Sequence, residues 1–143
     1  MTLDDIRAKY ANDRFATEAA GVRIVSAEPG HAVCEMDLTT VHMNALGNPQ
    51  GGAIFTLADL AFAVASNAYA EYVSVSRQMD ITFLRASRGS RLTAEARSVR
   101  DGRQANFYTV AVTDDLGQQI AFLTVNGFVT GMRNPDIGSV ENN

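Results

Sequence analysis

Residues 44–67, NALGNPQGGAIFTLADLAFAVASN, decide the fold. Between positions 53 and 65 only Thr56 and Asp59 carry polar side chains, so a helix over this segment is apolar on nearly every side. Such a helix has to be wrapped by the rest of the chain. The segment therefore predicts one long central helix inside a larger enclosing structure.

Asp59 is the one acid in this apolar segment. Burying an unpaired carboxylate is costly, which leaves three interpretations of this position. Asp59 has a buried partner, or a raised pKa keeps it protonated, or it lies at the edge of a cavity that admits a ligand. The third interpretation implies a function.

The entry to the helix, Pro49-Gln50-Gly51-Gly52, is the second notable feature. The first turn of a helix has free backbone N–H groups, and here they belong to residues with little or no side chain. A helix N-terminus favours negative charge, and glycine lets a substrate oxygen approach the backbone, as an oxyanion site requires. The alternative is a glycine turn that only starts the helix.

The chain of 143 residues has 12 Lys and Arg against 16 Asp and Glu, a size suited to one domain. We expect a single domain over residues 1–132 and a tail over residues 133–143. The only cysteine, Cys34, excludes an internal disulfide and falls on the apolar side of a strand pattern, so it is predicted to be a core residue. No signal-like or membrane-length segment occurs, which predicts a soluble, cytoplasmic protein that does not bind membranes.

The remaining patterns predict an α+β fold. Residues 3–15 look helical with Thr2 as N-cap, and a hairpin around Glu28-Pro29-Gly30 joins two strands. Four more strands follow the central helix, with predicted hairpin joints at residues 87–90, 101–102 and 114–117. The predicted strands cover residues 22–26, 31–38, 73–85, 91–100, 104–113 and 119–130. The result is an antiparallel meander, a single curved sheet wrapped around one long central helix.

The charge is unevenly placed along the chain. Residues 77–103 hold seven arginines against three acids, whereas the whole chain has a net charge of −4. Arginine suits phosphate, so the cluster is compatible with a phosphorylated ligand, although solvent-facing arginines are the alternative. Nucleic acid is not predicted as a partner, because the chain is acidic overall and no aromatic residues alternate with the arginines.

The stretch HMNALGNPQGGAIFTLADLAFAVASN, residues 42–67, resembles the signature of the hotdog-fold acyl-CoA thioesterases of the phenylacetate-degradation (PaaI-like) type. The likeness combines a loop Asn, a Gly-Gly pair at the helix start, Leu-Ala-Asp two turns later, and a Ser-containing strand that continues as MDITFLR. The order of predicted elements matches that fold over roughly residues 15–131. The resemblance therefore implies the hotdog fold.

The resemblance also implies roles for five residues. Asp59 matches the acid that activates water or attacks the thioester carbonyl, and Gly51 matches the residue whose N–H polarises that carbonyl. Asn44 matches a loop amide that orients water or substrate, and Ser76 matches a strand hydroxyl that assists the acid. Gln50 stands where many relatives have histidine. Glutamine can position the thioester but cannot take up a proton near neutral pH.

The implied activity is hydrolysis of an acyl or aryl-acyl coenzyme A thioester to free acid and CoA. No metal or redox cofactor is expected, and Arg85 and Arg88 are candidates to bind the CoA phosphates. Two alternatives stay open. A non-catalytic acyl-CoA binding or sensing module on the same fold is favoured by Gln50, and a dehydratase is disfavoured because neither His31 nor His42 occupies a suitable position.

The spacing of Gly51 and Asp59 bears on assembly. Eight residues of helix separate them by roughly 12 Å along the axis, so the two residues of one chain cannot both reach one carbonyl carbon. The acid then has to come from a second chain, in a two-fold dimer with antiparallel central helices. We therefore expect a homodimer with two composite sites, and the family implies a dimer of dimers.

Overall fold

One long helix crosses one face of a six-stranded sheet in the computed structural model, which describes residues 1–135. All paired strands are antiparallel, and the predicted α+β architecture is confirmed. The elements are α1 (Leu3–Tyr10), a π-helical turn (Phe15–Ala19), β1 (Val22–Glu28), β2 (His31–Asp37), a 3₁₀ turn (Thr40–His42), α2 (Gly51–Asn67), β3 (Tyr72–Phe83), β4 (Arg91–Asp101), β5 (Ala105–Asp114) and β6 (Gln119–Arg133).

The strand order is β1-β2-β4-β5-β6-β3, so β3 lies at an edge beside β6 and not beside β4. The predicted hairpin at residues 87–90 is therefore wrong. The backbone N–H of Leu84 still bonds to Ile120 of β6, and the link then crosses the sheet until Ser90 accepts a hydrogen bond from the Leu38 N–H at the end of β2. A glycine and polar residues mark a turn equally well in a crossover and in a hairpin.

The predicted β1–β2 and β5–β6 turns are confirmed, whereas the β4–β5 turn lies at residues 102–104 instead of 101–102. The β1–β2 turn contains Gly30, and the β5–β6 turn contains Gly117, both at positive φ, where glycine is favoured. The β4–β5 turn brings the Gly102 N–H to the Ala105 carbonyl at 2.9 Å. A Cβ on Gly102 would lie 2.8 Å from that same carbonyl oxygen, so this tight turn also excludes a side chain.

The core lies between α2 and the concave face of the sheet. Leu57, Leu60 and Val64 of α2 are fully or almost fully buried there, and so is Cys34 of β2, as predicted. The sheet covers only one side of the helix. Positions 52, 56, 59 and 63 recur at helical spacing and are only partly buried or exposed, so they form a strip that the sheet does not cover.

The N-terminal helix is shorter than predicted, because α1 ends at Tyr10 instead of residue 15. The Asp13 carboxylate accepts the Ala16 N–H at 3.2 Å, which starts a separate turn after α1. Thr2 caps α1 as predicted, with Asp5 completing a capping box. At the other end of the helix, the Tyr10 hydroxyl donates to the Ala63 carbonyl of α2 at 3.1 Å.

At the C-terminus β6 extends to Arg133, and Asn134 is buried. The Asn134 side-chain amide donates to the carbonyls of Asn67 and Ala70 at 2.8 and 3.1 Å. The rest of the predicted tail, residues 136–143, lies outside the described residues. Within residues 1–135 no helix is long and apolar enough to cross a membrane.

Candidate active site

Gln50 forms the N-cap of α2. Its Oε1 accepts the Ala53 N–H at 3.0 Å, and its own N–H donates to the His42 carbonyl at 2.8 Å. A Cβ on Gly52 would lie 2.7 Å from Gln50 Oε1, so a side chain at position 52 would displace the Gln50 cap. Gln50 therefore has a structural role that its place in the sequence motif did not reveal. Its Nε2 bonds to nothing within residues 1–135, so it can donate to a ligand.

Gly51 and Gly52 supply two free backbone donors at the start of α2. Neither N–H bonds to any acceptor within residues 1–135. They point out of the positive end of a helix of 17 residues, where negative charge is stabilised. A Cβ on Gly51 would lie 3.0 Å from Cζ of Phe83, so glycine also lets this ring pack over the helix start.

A cleft with a volume of about 440 Å³ opens beside this helix terminus, and we call it the polar cleft. It brings together three predicted site residues from separate elements: Asn44 of the loop before α2, Gly51 of α2, and Arg85 just after β3. The full lining is Asn44, Asn48, Pro49, Gly51, Ile54, Phe83, Arg85, Ala86 and Ser87. The cleft thus combines amide donors and a guanidinium on one side of α2.

Asn44 shapes the loop with one end of its side chain. Oδ1 accepts the N–H groups of Leu46 and Asn48 at 2.9 and 3.1 Å. The Nδ2 group bonds to nothing in the part of the chain that the structure describes, so it can donate to a ligand oxygen. Arg85 is exposed and forms no ion pair among those residues either.

Asp59 lies two turns farther along α2, half-buried and outside the polar cleft. No hydrogen bond or ion pair reaches its carboxylate from residues 1–135, so a buried partner within the described chain does not explain this acid. Burial raises the pKa of Asp59, and the nearby charge of Asp13 raises that pKa further. A carboxyl group with a raised pKa, whose oxygens accept no hydrogen bond from residues 1–135, suits a general base or a nucleophile.

The structure does not bring the other predicted residues to the cleft. Ser76 is exposed in β3, opposite Gly127 of β6, and Arg88 is exposed in the β3–β4 link. His42 is buried and structural: Nδ1 accepts the Thr39 N–H at 3.0 Å, and Nε2 bonds to the Ala20 carbonyl at 2.6 Å. No group of three or more His, Cys, Asp or Glu within residues 1–135 is arranged to hold a metal ion.

Sequence reasoning missed Asp13. Forty-six positions separate it from Asp59, and only the packing of the N-terminal segment beside α2 brings the two charges near each other. Asp13 falls in a short polar break between two helical patterns, which looks like an ordinary turn. No signal in the sequence could have linked it to the site.

Comparison with known proteins identifies the family. The model of the thioesterase superfamily matches residues 47–121, just over half of the chain, from the loop before α2 to the start of β6. The chain belongs to the thioesterase superfamily. The match spans the Gly-Gly start of α2, Asp59 and Arg85.

Three relatives place it more closely. The acyl-coenzyme A thioesterase PaaI of Escherichia coli is 33% identical over 130 residues, which cover 87% of this chain and 91% of PaaI. Its solved structure superposes with a TM-score of 0.79 and 27% identity, over 92% of this chain and 99% of PaaI. Human acyl-coenzyme A thioesterase 13 is 30% identical over 113 residues, covering 76% of this chain and 79% of its own.

The third relative, smu.793 of Streptococcus mutans, was solved with acetyl-CoA bound. It has a TM-score of 0.72 and 32% identity, over 78% of this chain and 90% of that one. The predicted hotdog fold and PaaI-like resemblance are confirmed, and so is the predicted enzyme class, thioester hydrolase, at the level of the family.

Proposed function

We propose that this protein hydrolyses an acyl or aryl-acyl coenzyme A thioester to the free acid and CoA. The polar cleft carries the proposal, because it combines the free N–H of Gly51, the Nδ2 donor of Asn44 and the guanidinium of Arg85. The acetyl-CoA bound to smu.793, a relative with the same fold, adds support for the ligand class. The predicted cytoplasmic location and the absence of any metal or redox cofactor stay predictions.

The cleft suits a thioester in a defined orientation. The carbonyl oxygen accepts the Gly51 N–H, where the positive helix end stabilises the charge that develops on that oxygen. Asn44 donates to the same oxygen or to the attacking water. The exposed side chains of Arg85 and Arg88, before β4, are free to bind the phosphates of CoA.

Asp59 supplies the reactive group in this mechanism. As a general base its carboxylate takes a proton from water while the water oxygen adds to the carbonyl carbon. The C–S bond then breaks, and CoA leaves as the thiolate and is protonated. As a nucleophile the carboxylate instead forms an acyl anhydride with release of CoA, and water hydrolyses the anhydride. Both routes give the same products.

The acid has to come from a second copy of the chain. Gly51 and Asp59 of one chain are about 12 Å apart along α2, too far for one carbonyl group. The edge strand β3 is a suitable surface for a second subunit, because its 12 residues are largely exposed. A two-fold dimer about that edge sets the Gly51 of one subunit against the Asp59 of the other, and Ser76, midway along β3, lies at the subunit contact. Pairing of such dimers into a tetramer remains a prediction.

Release of free thiol from a panel of acetyl, octanoyl, branched and phenylacetyl CoA tests the proposal. We expect steady turnover of at least one thioester. The alternative, a non-catalytic acyl-CoA binding or sensing module, is favoured by Gln50 and predicts saturable binding without thiol release. Absence of turnover across the whole panel would reject the enzyme and leave the binding module.

A further inference from the structure

A second groove opens on the opposite side of the start of α2, and we call it the apolar groove. Its volume is about 540 Å³, within the range of small-molecule sites. The lining is Phe15, Ala19, Ala20, Val41, His42, Met43, Gln50, Gly52, Ala53 and Thr56. Gly51 faces the polar cleft and Gly52 faces the apolar groove, since successive residues of a helix are rotated by about 100°.

The walls of the apolar groove are held in place by the chain itself. One wall is the π-helical turn, closed by the bond from the Ala20 N–H to the Phe15 carbonyl at 2.9 Å. The other wall includes the 3₁₀ turn, and the bond from His42 to the Ala20 carbonyl ties the two walls together. The groove is therefore built before any ligand arrives, which lowers the entropic cost of binding.

Two large apolar side chains at the rim of the groove are mostly exposed. Phe15 is 70% exposed on one wall and Val41 is 80% exposed on the other. The wall and floor between them carry small side chains, Ala19, Gly52 and Ala53, which leave the space open. Exposed apolar residues around an apolar hollow are typical of a surface that binds an apolar ligand.

We propose that the apolar groove binds the acyl group of the substrate and that Phe15 and Val41 select for apolar acyl groups larger than acetyl. This inference rests on the proposed function. The thioester carbonyl then lies at the Gly51–Gly52 start of α2, with CoA in the polar cleft and the acyl group in the apolar groove. β1 and β3 are opposite edges of the sheet, so a dimer about β3 leaves the groove on the β1 side open.

The test compares kcat/KM for acetyl, butanoyl, octanoyl and phenylacetyl CoA in the wild type and two variants. Each methylene that enters the groove should raise wild-type kcat/KM by about fourfold until the groove is full. Ala19→Trp fills the groove and should lower the octanoyl-to-acetyl ratio at least about tenfold. Phe15→Ala should lower the same ratio by a smaller factor, because it removes one rim contact.

Matched controls are available on exposed surfaces away from the groove. Ala8→Trp on α1 adds the same ring as Ala19→Trp, and Leu116→Ala in the β5–β6 turn removes an exposed apolar side chain as Phe15→Ala does. Both controls should keep the wild-type ratio. A ratio in Ala19→Trp within twofold of the wild type, or a wild-type kcat/KM that does not rise from acetyl to octanoyl, would overturn the groove assignment.

Binding measured by calorimetry separates this inference from the proposed function. If the wild type hydrolyses no thioester, the proposed function fails, but octanoyl-CoA should still bind more tightly than CoA, and Ala19→Trp should remove that difference. Equal affinities for octanoyl-CoA and CoA in the wild type would reject the groove whatever the enzyme does.

Discussion

The two edges of the sheet differ in how far the rest of the chain covers them. The β1 edge is short, its register with β2 shifts between Ile24 and Ser26, and α1 covers it with a bond from Arg7 Nε to the Ile24 carbonyl at 2.9 Å. The β3 edge is 12 residues long and largely exposed, and no strand within residues 1–135 pairs with its outer side. At Ser74 this edge is closed off by two hydrogen bonds between the Ser74 backbone and the Asn67 side chain.

This difference between the two edges indicates which edge is available to a second subunit. A long open edge strand readily pairs with another chain, and proteins normally cover or interrupt such edges. Here residues 1–20 protect one edge, and the other is the edge that the proposed dimer uses. Gly51 and Phe83 lie on the open side, so in the proposed dimer the partner subunit completes the polar cleft. The proposed dimer therefore makes assembly and catalysis depend on the same edge.

The largest expected effect comes from the acid on the uncovered strip of α2. Asp59→Asn should lower kcat by at least about a hundredfold while the fold is retained, the scale for loss of a positioned base. The rate of thiol release by the purified, folded variant measures this directly. Hydrolysis at the wild-type rate would contradict the role of Asp59 in the mechanism.

Stability provides the control for that variant. The pKa of Asp59 is raised in the folded state, so ionising it opposes folding, and stability is lost as the pH rises above 3.8, the ordinary value, through the raised pKa. Asparagine carries no charge to desolvate. Asp59→Asn should therefore melt at a higher temperature than the wild type near neutral pH, and the difference should disappear below pH 3.8. A lower melting temperature at neutral pH would indicate a structural acid instead.

A matched pair of valines compares the two edges directly. Val75 of β3 is 46% exposed and Val25 of β1 is 40% exposed. Val75→Lys puts like charges across the two-fold contact and should weaken the dimer at least about tenfold, with activity falling in parallel at low protein concentration. Val25→Lys should change neither quantity. Sedimentation of both variants checks this, and equal effects at the two edges would remove the distinction between them.

Gln50 lies at the start of α2, between the polar cleft and the apolar groove, and its substitution should have a moderate effect on activity. Gln50→Ala should raise KM more than it lowers kcat, because it removes a group that positions the thioester. Loss of the N-cap should also lower stability by about 1 kcal/mol. Gln50→His should be tolerated or faster. A Gln50→His variant without any activity would contradict the alignment of this position with the family histidine.

The smallest expected effect is a shift in the pH dependence of kcat/KM, caused by substitution of Asp13 in the N-terminal segment. Asp13→Asn removes the charge that helps to raise the pKa of Asp59 but keeps an oxygen to accept the Ala16 N–H. The acidic limb of the kcat/KM profile should move to lower pH, with little change in the plateau. Asp4→Asn on exposed α1 serves as the control. An acidic limb that stays at the wild-type pH would show that Asp13 does not tune the acid.

Local patterns predicted most of the fold. Strand patterns between turn signals identified all six strands, and the apolar run at residues 53–65 identified α2, because burial sets both kinds of pattern. The position of β3 was not predictable in this way. Residues 87–90 read as a hairpin turn, whereas the β3 partner is β6, and two other strands lie between them along the chain.

The candidate site was predicted only in part, because local sequence motifs show some of its residues and tertiary packing brings in the others. Gly51 and Asn44 belong to one continuous motif, and the arginine excess pointed to Arg85. The apolar groove and the proximity of Asp13 to Asp59 depend on how the N-terminal segment packs against α2, and no periodicity encodes that. The capping role of Gln50 was not predictable from residue type, since glutamine is not among the residues that are preferred at a helix N-cap.

The central claim, a site shared between subunits, is tested most directly by mixing two inactive variants. Asp59→Asn removes the acid, and Gly51→Pro removes the N–H at a helix position that accepts proline, provided that the half-exposed Phe83 ring gives way. Gly51→Ala is the matched control, because it adds a side chain and keeps the N–H.

After subunit exchange, each heterodimer should contain one site with both changes and one site with neither. Half of the dimers in an equal mixture are heterodimers, so activity should recover to roughly a quarter of the wild-type value. Samples that stay as inactive as the two parents, despite verified exchange and intact folding, would contradict the shared site.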